Sequence, residues 1–169
     1  KGNPAIEPFA FLSEEASASE QLACARSRAM QIARATTCLP PSLAREGAQL
    51  RLGFMSNGFG AHPTGLLTVA FFEALTVGHG IEIHLFATSK DDGSDIRQRL
   101  GKASILHDLT GMDHASMATH IRAAGMDILY DLRGWGGGGT PEVFARRPAP
   151  VQVNWLAYPG TSGAPWMDY

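Results

Sequence analysis

The spacing of apolar positions changes along the chain, and the changes divide it. Over residues 14–36, Ala18, Leu22, Ala25, Ala29 and Ile32 fall on one face at helical spacing. Ser13 is placed to cap this helix, and the glutamates of its first turn suit the positive end of its dipole. The stripe consists mostly of small residues, so the helix is expected to lie close against a neighbour. "CLPPSLAREGAQ" then breaks the pattern and reads as a linker. The expected division is a helical segment with its linker over 1–48, then one lobe over 49–169.

From Leu50 the pattern alternates between short apolar runs and helical spacing. Strands are expected at 50–55, 81–88, 104–109, 126–134 and 151–160, the last running into a loop. Helices are expected at 63–77, 94–103, 112–125 and 141–148, with Gly125 closing the third. Strict alternation of strand and helix means βαβ units and a parallel sheet. The strands are nearly continuous apolar runs, as expected when helices cover both faces. The fold class is therefore α/β, a Rossmann-like parallel sheet with helices on both faces.

Composition narrows the function classes. The formal charge is −2, so no basic footprint for a nucleic acid or an anionic membrane is present, and neither partner is expected. The longest apolar runs are too short to span a bilayer. The chain opens at Lys1 without a recognisable signal peptide and is expected to be a fragment. Cys24 and Cys38 lack metal-ligand spacing and read as reduced thiols of a cytoplasmic protein.

In an open α/β sheet, ligands bind beyond the carboxyl ends of the strands. Three glycine-rich loops lie there: "SNGFGAHPT", "RGWGGGGT" and "AYPGTSGAP". All three should converge on one edge. Pro63 suits the first turn of a helix, which puts His62 at the helix start beside free backbone N–H groups. There the dipole should keep the imidazole neutral and able to accept a proton, although a histidine that only hydrogen-bonds the turn fits equally. The run Gly136 to Gly139 has neither P-loop nor dinucleotide register, so it is either a flexible loop or a place where backbone approaches a ligand closely. Asp91 and Asp92 suggest a metal only weakly and read more simply as a polar turn. His107, His114 and His120 do not have the spacing of a metal triad, and Arg146 with Arg147 reads as a solvated or helix-capping pair.

"LRLGFMSNGFGAHPTGLL", "DDGSDIR", "LRGWGGGGTPEVFARRPAP" and "RRPAPVQVNWLAYPGTSGAPWMDY" together resemble the protein O-GlcNAc transferase family, in its bacterial rather than animal form. The resemblance runs from about Leu50 to the end. It implies a GT-B fold, two Rossmann-like lobes preceded by tetratricopeptide repeats, of which this chain would be the N-terminal lobe. It implies inverting, metal-independent transfer of N-acetylglucosamine from UDP-GlcNAc to Ser or Thr hydroxyls of acceptor proteins, with no cofactor. Most uridine and diphosphate contacts would come from the second lobe. By the same resemblance His62 matches the histidine of a family "HPT" motif considered a base, and Pro63 and Thr64 match its neighbours near the sugar. Leu156, Ala157, Pro159 and Gly160 match the "LGYPG" positions of the sugar pocket. Trp135, Gly136 and Gly138 match a "YTKG" loop, with Gly137 in place of its lysine. Gly58 stands where animal members carry an aspartate also proposed as catalytic. An asparagine-directed glucosyltransferase of the same fold and a catalytically weak protein-binding scaffold are the alternative readings.

Overall fold

The computed structural model describes residues 6–41, 49–77 and 80–169. Most of the expected linker, 42–48, lies outside them. Five strands form one parallel sheet: β1 (Leu50–Ser56), β2 (Ile81–Ala87), β3 (Ile105–Asp108), β4 (Ile128–Asp131) and β5 (Val151–Asn154). Their order is β3-β2-β1-β4-β5. The helices are α1 (Pro8–Phe11), α2 (Ala18–Ala35), α3 (Pro63–Leu75), α4 (Asp95–Lys102), α5 (His114–Ala124) and α6 (Pro141–Ala145).

Strand side chains alternate between two cores. Leu52, Phe54, Ile83, Leu85 and Ala87 face Val69 and Phe72 of α3 and Leu100 of α4. Met55, Phe86 and Leu129 face the opposite way, toward Ile32 of α2, Met117 and Ile121 of α5, and Phe144 of α6. Both faces are covered, which is why the strands read as apolar runs rather than alternating ones. Connections leave β1 and β4 onto opposite faces, so a crevice opens between these neighbours at their carboxyl ends.

α2 starts later than the sequence pattern suggests. Ser17, not Ser13, is its cap: its hydroxyl accepts from Glu20 N–H and the Glu20 carboxylate accepts from Ser17 N–H, a closed capping box. The Ser13 hydroxyl instead donates to the Ala10 carbonyl, after the short helix α1 that periodicity did not reveal. Of the expected stripe, Ala25, Ala29 and Ile32 are buried. Gly163 explains the small side chains, since a Cβ there would lie 2.8 Å from the Arg26 nitrogen. Gly125 closes α5 in the left-handed region with φ 68. The fourth and fifth strands stop short of their expected ends, at Asp131, whose carboxylate accepts the Arg133 and Gly134 N–H groups of the next turn, and at Asn154.

At the β3 edge a chain of hydrogen bonds crosses three elements. Glu82 Oε1 accepts from His84 Nε2 at 2.8 Å and pairs with Arg51 Nε at 2.5 Å. His84 Nδ1 meets His107 Nε2 at 2.9 Å, and His107 Nδ1 meets His120 Nε2 at 3.0 Å. Two of the three histidines weighed from spacing thus join His84, which spacing overlooked, while His114 sits 3.6 Å from Glu142. Arg147 is more than a solvated charge. It donates to the carbonyls of Trp166 and Pro150 and pairs with Asp168, fixing the last turn beside β5.

Candidate functional site

The first loop, between β1 and α3, is folded by close backbone approach. A Cβ on Gly60 would fall on the Asp92 carboxylate, and one on Gly65 would fall on the Gly60 carbonyl. Asp92, in the loop after β2, accepts from Ala61 N–H at 2.7 Å and from the Ser94 hydroxyl at 2.7 Å. The Ser94 bond, then that of Ala61, holds its carboxyl down at about 2. The buried Arg97 guanidinium donates to the Phe59 carbonyl at 2.9 Å. Among the described residues Asp91 accepts only from Gly93 N–H, in its own turn. The acidic pair therefore ties one loop to the next, and among the described residues no group of His, Cys, Asp or Glu could hold a metal ion.

His62 is the N-cap of α3 and is half-buried. Pro63 offers no N–H, so the Thr64 N–H is the first one available, and His62 Nδ1 accepts it at 3.2 Å. Thr64 is buried, and its carbonyl accepts from the Thr68 hydroxyl at 2.7 Å. Pro63 is exposed.

The second loop is organised by Asp131, which the sequence reading did not single out. Its carboxylate, 2% exposed, accepts from Arg133 N–H at 2.9 Å and Gly134 N–H at 3.0 Å. Burial pushes this carboxyl above its ordinary range, against those two bonds and the nearby Arg133 charge. An acid three residues before the first loop glycine, straight after an apolar strand, is the signal that would have found it. Arg133 in turn donates to the Gly137 carbonyl. Trp135 Nε1 donates to the Ser162 carbonyl at 2.9 Å, joining this loop to the third. Gly134, at φ 51, leaves room for Tyr158, whose Cβ would lie 2.8 Å from a Cβ at that position. Trp135, Gly136 and Gly138 line a cavity of about 150 Å³ with Glu7, Arg28 and Glu142.

The third loop carries Leu156 at φ 88, an uncommon conformation for a branched side chain, with Trp155 and Leu156 both exposed. Ala157 and Gly160 are half-buried and Pro159 is exposed. A Cβ on Gly160 would lie 2.7 Å from Tyr158 Oη. Asn57 links the first and second loops: its amide reaches the Gly137 carbonyl at 3.5 Å and fills the space a Cβ on Gly138 would need. The three loops therefore meet at the β1/β4 crevice through Asn57 and Trp135. Asn57 was also missed, because nothing in its spacing distinguishes it from any turn asparagine.

The profile of Glycosyl transferase family 41 matches residues 13–169, nearly the whole chain. The chain belongs to this family. Among family 41 relatives, it is 37% identical over 127 residues to the UDP-N-acetylglucosamine–peptide N-acetylglucosaminyltransferase of Caenorhabditis elegans, covering 74% of this chain and 11% of that protein. A probable enzyme of the same name, SEC, from Arabidopsis thaliana is 35% identical over 128 residues, covering 74% of this chain and 13% of that one. A solved structure of a lysine-to-methionine variant of Thermobaculum terrenum O-GlcNAc transferase superposes with a TM-score of 0.85 at 28% identity, over 96% of this chain and 32% of that one. The family 41 chain thus spans about a tenth of the curated relatives and a third of the solved one. Its sheet is the Rossmann-like N-terminal lobe of a GT-B glycosyltransferase. Among the described residues no helix is long and apolar enough to cross a membrane.

Proposed function

We propose that this lobe, with a second GT-B lobe, transfers N-acetylglucosamine from UDP-GlcNAc to Ser or Thr hydroxyls of acceptor proteins. The transfer inverts the anomeric carbon and uses no metal. The observation that carries the reading is the meeting of three glycine-rich loops at the β1/β4 crevice of a family 41 chain, with the cap of α3 presenting His62 there. Related proteins are named for the same donor and for peptide acceptors.

Inversion requires the hydroxyl to attack opposite the departing diphosphate, with the new carbon–oxygen bond forming as the bond between the anomeric carbon and the phosphate oxygen breaks and the hydroxyl's proton leaving with the released UDP. Holding those partners in line is the main task of the crevice. We assign this task to His62 and Thr64 from the first loop, Trp135 from the second, and Leu156 with Ala157 from the third. Stabilising the leaving diphosphate is an electrostatic task, and this lobe, at a net charge of −2, leaves it to the second. Metal independence is supported by Asp92, whose two oxygens already accept the Ala61 N–H and the Ser94 hydroxyl, while Asp91 accepts the Gly93 N–H of its own turn.

The test is UDP-GlcNAc binding by calorimetry and UDP release in the presence of acceptor protein, with UDP-glucose as control. Binding with turnover is the expected outcome. Preference for UDP-glucose would favour a glucosyltransferase, binding without turnover would favour a scaffold, and no binding would overturn the reading.

A further inference from the structure

One tyrosine joins the second and third loops to the short helix that precedes the lobe. Tyr158 is 7% exposed, and its side chain runs between two glycines. A Cβ on Gly134 of the second loop would lie 2.8 Å from the Tyr158 Cβ, and one on Gly160 of the third would lie 2.7 Å from its Oη. Glycine at both positions is what leaves the ring this place. Its outer side is closed by α1. The Phe9 ring centroid lies 6.4 Å from that of Tyr158, and Leu12, the C-cap of α1, packs against Gly160, 3.0 Å from where a Cβ would be. Two residues before Tyr158, Leu156 stands at φ 88. That conformation costs free energy for a branched side chain and persists only where the surroundings impose it. The Leu156 side chain does not impose it, being 39% exposed. The chain is instead held on either side: the Trp155 N–H donates to the Asp131 carbonyl at 2.9 Å, and Tyr158 is the next buried side chain.

We propose that Tyr158 is a positioning residue of this site: pinned by Phe9 of α1 and Leu12 at its C-cap, it holds Leu156 in the left-handed region and so sets the third loop against the second. The helix α1 is then a support of the crevice and not only a connection into the lobe. Its N-cap reaches the second loop as well, since Glu7 pairs with Arg28 at 3.3 Å and both line the cavity beside Gly136 and Gly138. Without the clamp, Leu156 relaxes toward the backbone regions a branched residue prefers, and Leu156 and Ala157 leave their places. That Tyr158 fixes Leu156 stands on these contacts alone. Its bearing on transfer rests on the function proposed above, and the two parts are tested separately.

Three variants of the full-length protein are compared. Tyr158→Phe keeps the ring, Tyr158→Leu removes it, and Phe9→Ala takes away the α1 side at a residue that lies outside both cores. The first measurement is amide hydrogen exchange without ligand. The Trp155 amide should exchange roughly tenfold faster than wild type in Tyr158→Leu and about threefold faster in Phe9→Ala, as one strained residue is released. The Leu109 amide, bonded to the Ala87 carbonyl at the far edge of the sheet, should keep its wild-type rate. Tyr158→Phe should match wild type at both. An unchanged rate at Trp155 would overturn the inference whatever the protein binds. Equal acceleration at both amides would do the same, because Tyr158 would then hold the whole fold and not the loop. If Tyr158→Leu does not fold, Phe9→Ala decides alone. The second measurement is kcat/KM for UDP-GlcNAc with acceptor protein present. It should fall roughly tenfold in Tyr158→Leu and stay within about twofold of wild type in Tyr158→Phe. An equal fall in both variants would put the hydroxyl in place of the ring and refute the positioning role, as would faster exchange with unchanged kcat/KM. If wild-type protein does not turn over UDP-GlcNAc, the functional reading fails, and the exchange rates still decide whether Tyr158 fixes Leu156.

Discussion

The histidine chain at the β3 edge makes the lobe sensitive to acid in a way that can be worked out from its bonds. Glu82 accepts from His84 Nε2, so His84 Nδ1 must accept from His107, and His107 Nδ1 must accept from His120. His107 is bonded at both ring nitrogens and stacked on Phe86 at 4.5 Å. Burial, then the neighbouring His84 and His120, lowers its pKa from the ordinary 6.5 to about 4. The unfolded chain therefore takes up a proton near pH 6.5 that the folded chain refuses until about pH 4. Stability falls as pH drops through that window and is level again below it. At 1.36 kcal/mol per pH unit the ceiling is about 3 kcal/mol, and partial exposure of the ring reduces it to roughly 1–2 kcal/mol. His107→Gln supplies the same donor and acceptor without a titrating ring. Denaturant unfolding at steps from pH 7 to pH 4 should show wild type losing about 1–2 kcal/mol more than the variant. Parallel curves would refute the assignment, because every other titrating group is common to both proteins.

Three further outcomes are expected. Gly65→Ala drives a Cβ onto the Gly60 carbonyl, which is backbone and cannot rotate away; thermal unfolding should show a loss of about 1–3 kcal/mol. Asp131→Asn keeps an oxygen for the Arg133 and Gly134 N–H groups while removing a buried charge, so its stability at pH 7 should equal or exceed wild type. Asp131→Ala should instead lose about 1–3 kcal/mol by leaving both donors unpaired. The low pKa of Asp92, about 2, keeps it charged well below the unfolded value of 3.8; hydrogen exchange at the Ala61 amide should therefore stay protected down to about pH 3 and speed up in Asp92→Ala.

The sheet was legible because each strand is a short apolar run bounded by glycine or a cap, and period alone separates such runs from helices. The placement of the three loops was legible for the same reason, since strand ends define the ligand edge. Helix starts were less so. Ser13 and Ser17 are both plausible caps, and only the reach of Glu20 back to Ser17 decides between them. Contacts between distant segments left no local trace. His84 alternates on its strand like a plain core residue, and its bond to His107 spans 23 positions. Asn57 meets Gly137 across 80. The role of His62 lay in between: its place at the helix start follows from Pro63, but the nitrogen that caps depends on the empty side of Gly58.

The contact between Asn57 and Gly138 bears on how this site can change. A side chain at 138 would collide with the Asn57 amide, and the backbone there, at φ 76, already disfavours one. Shortening Asn57 removes the collision but also the tie to the Gly137 carbonyl. The two positions are therefore epistatic, and the cost of changing both should be smaller than the sum of the separate costs. A mutational library that varies one loop at a time would record each loop as intolerant and miss the combinations that work. Position 57 should be randomised together with 138, and 134 together with 158, where the same close approach joins the second loop to the third.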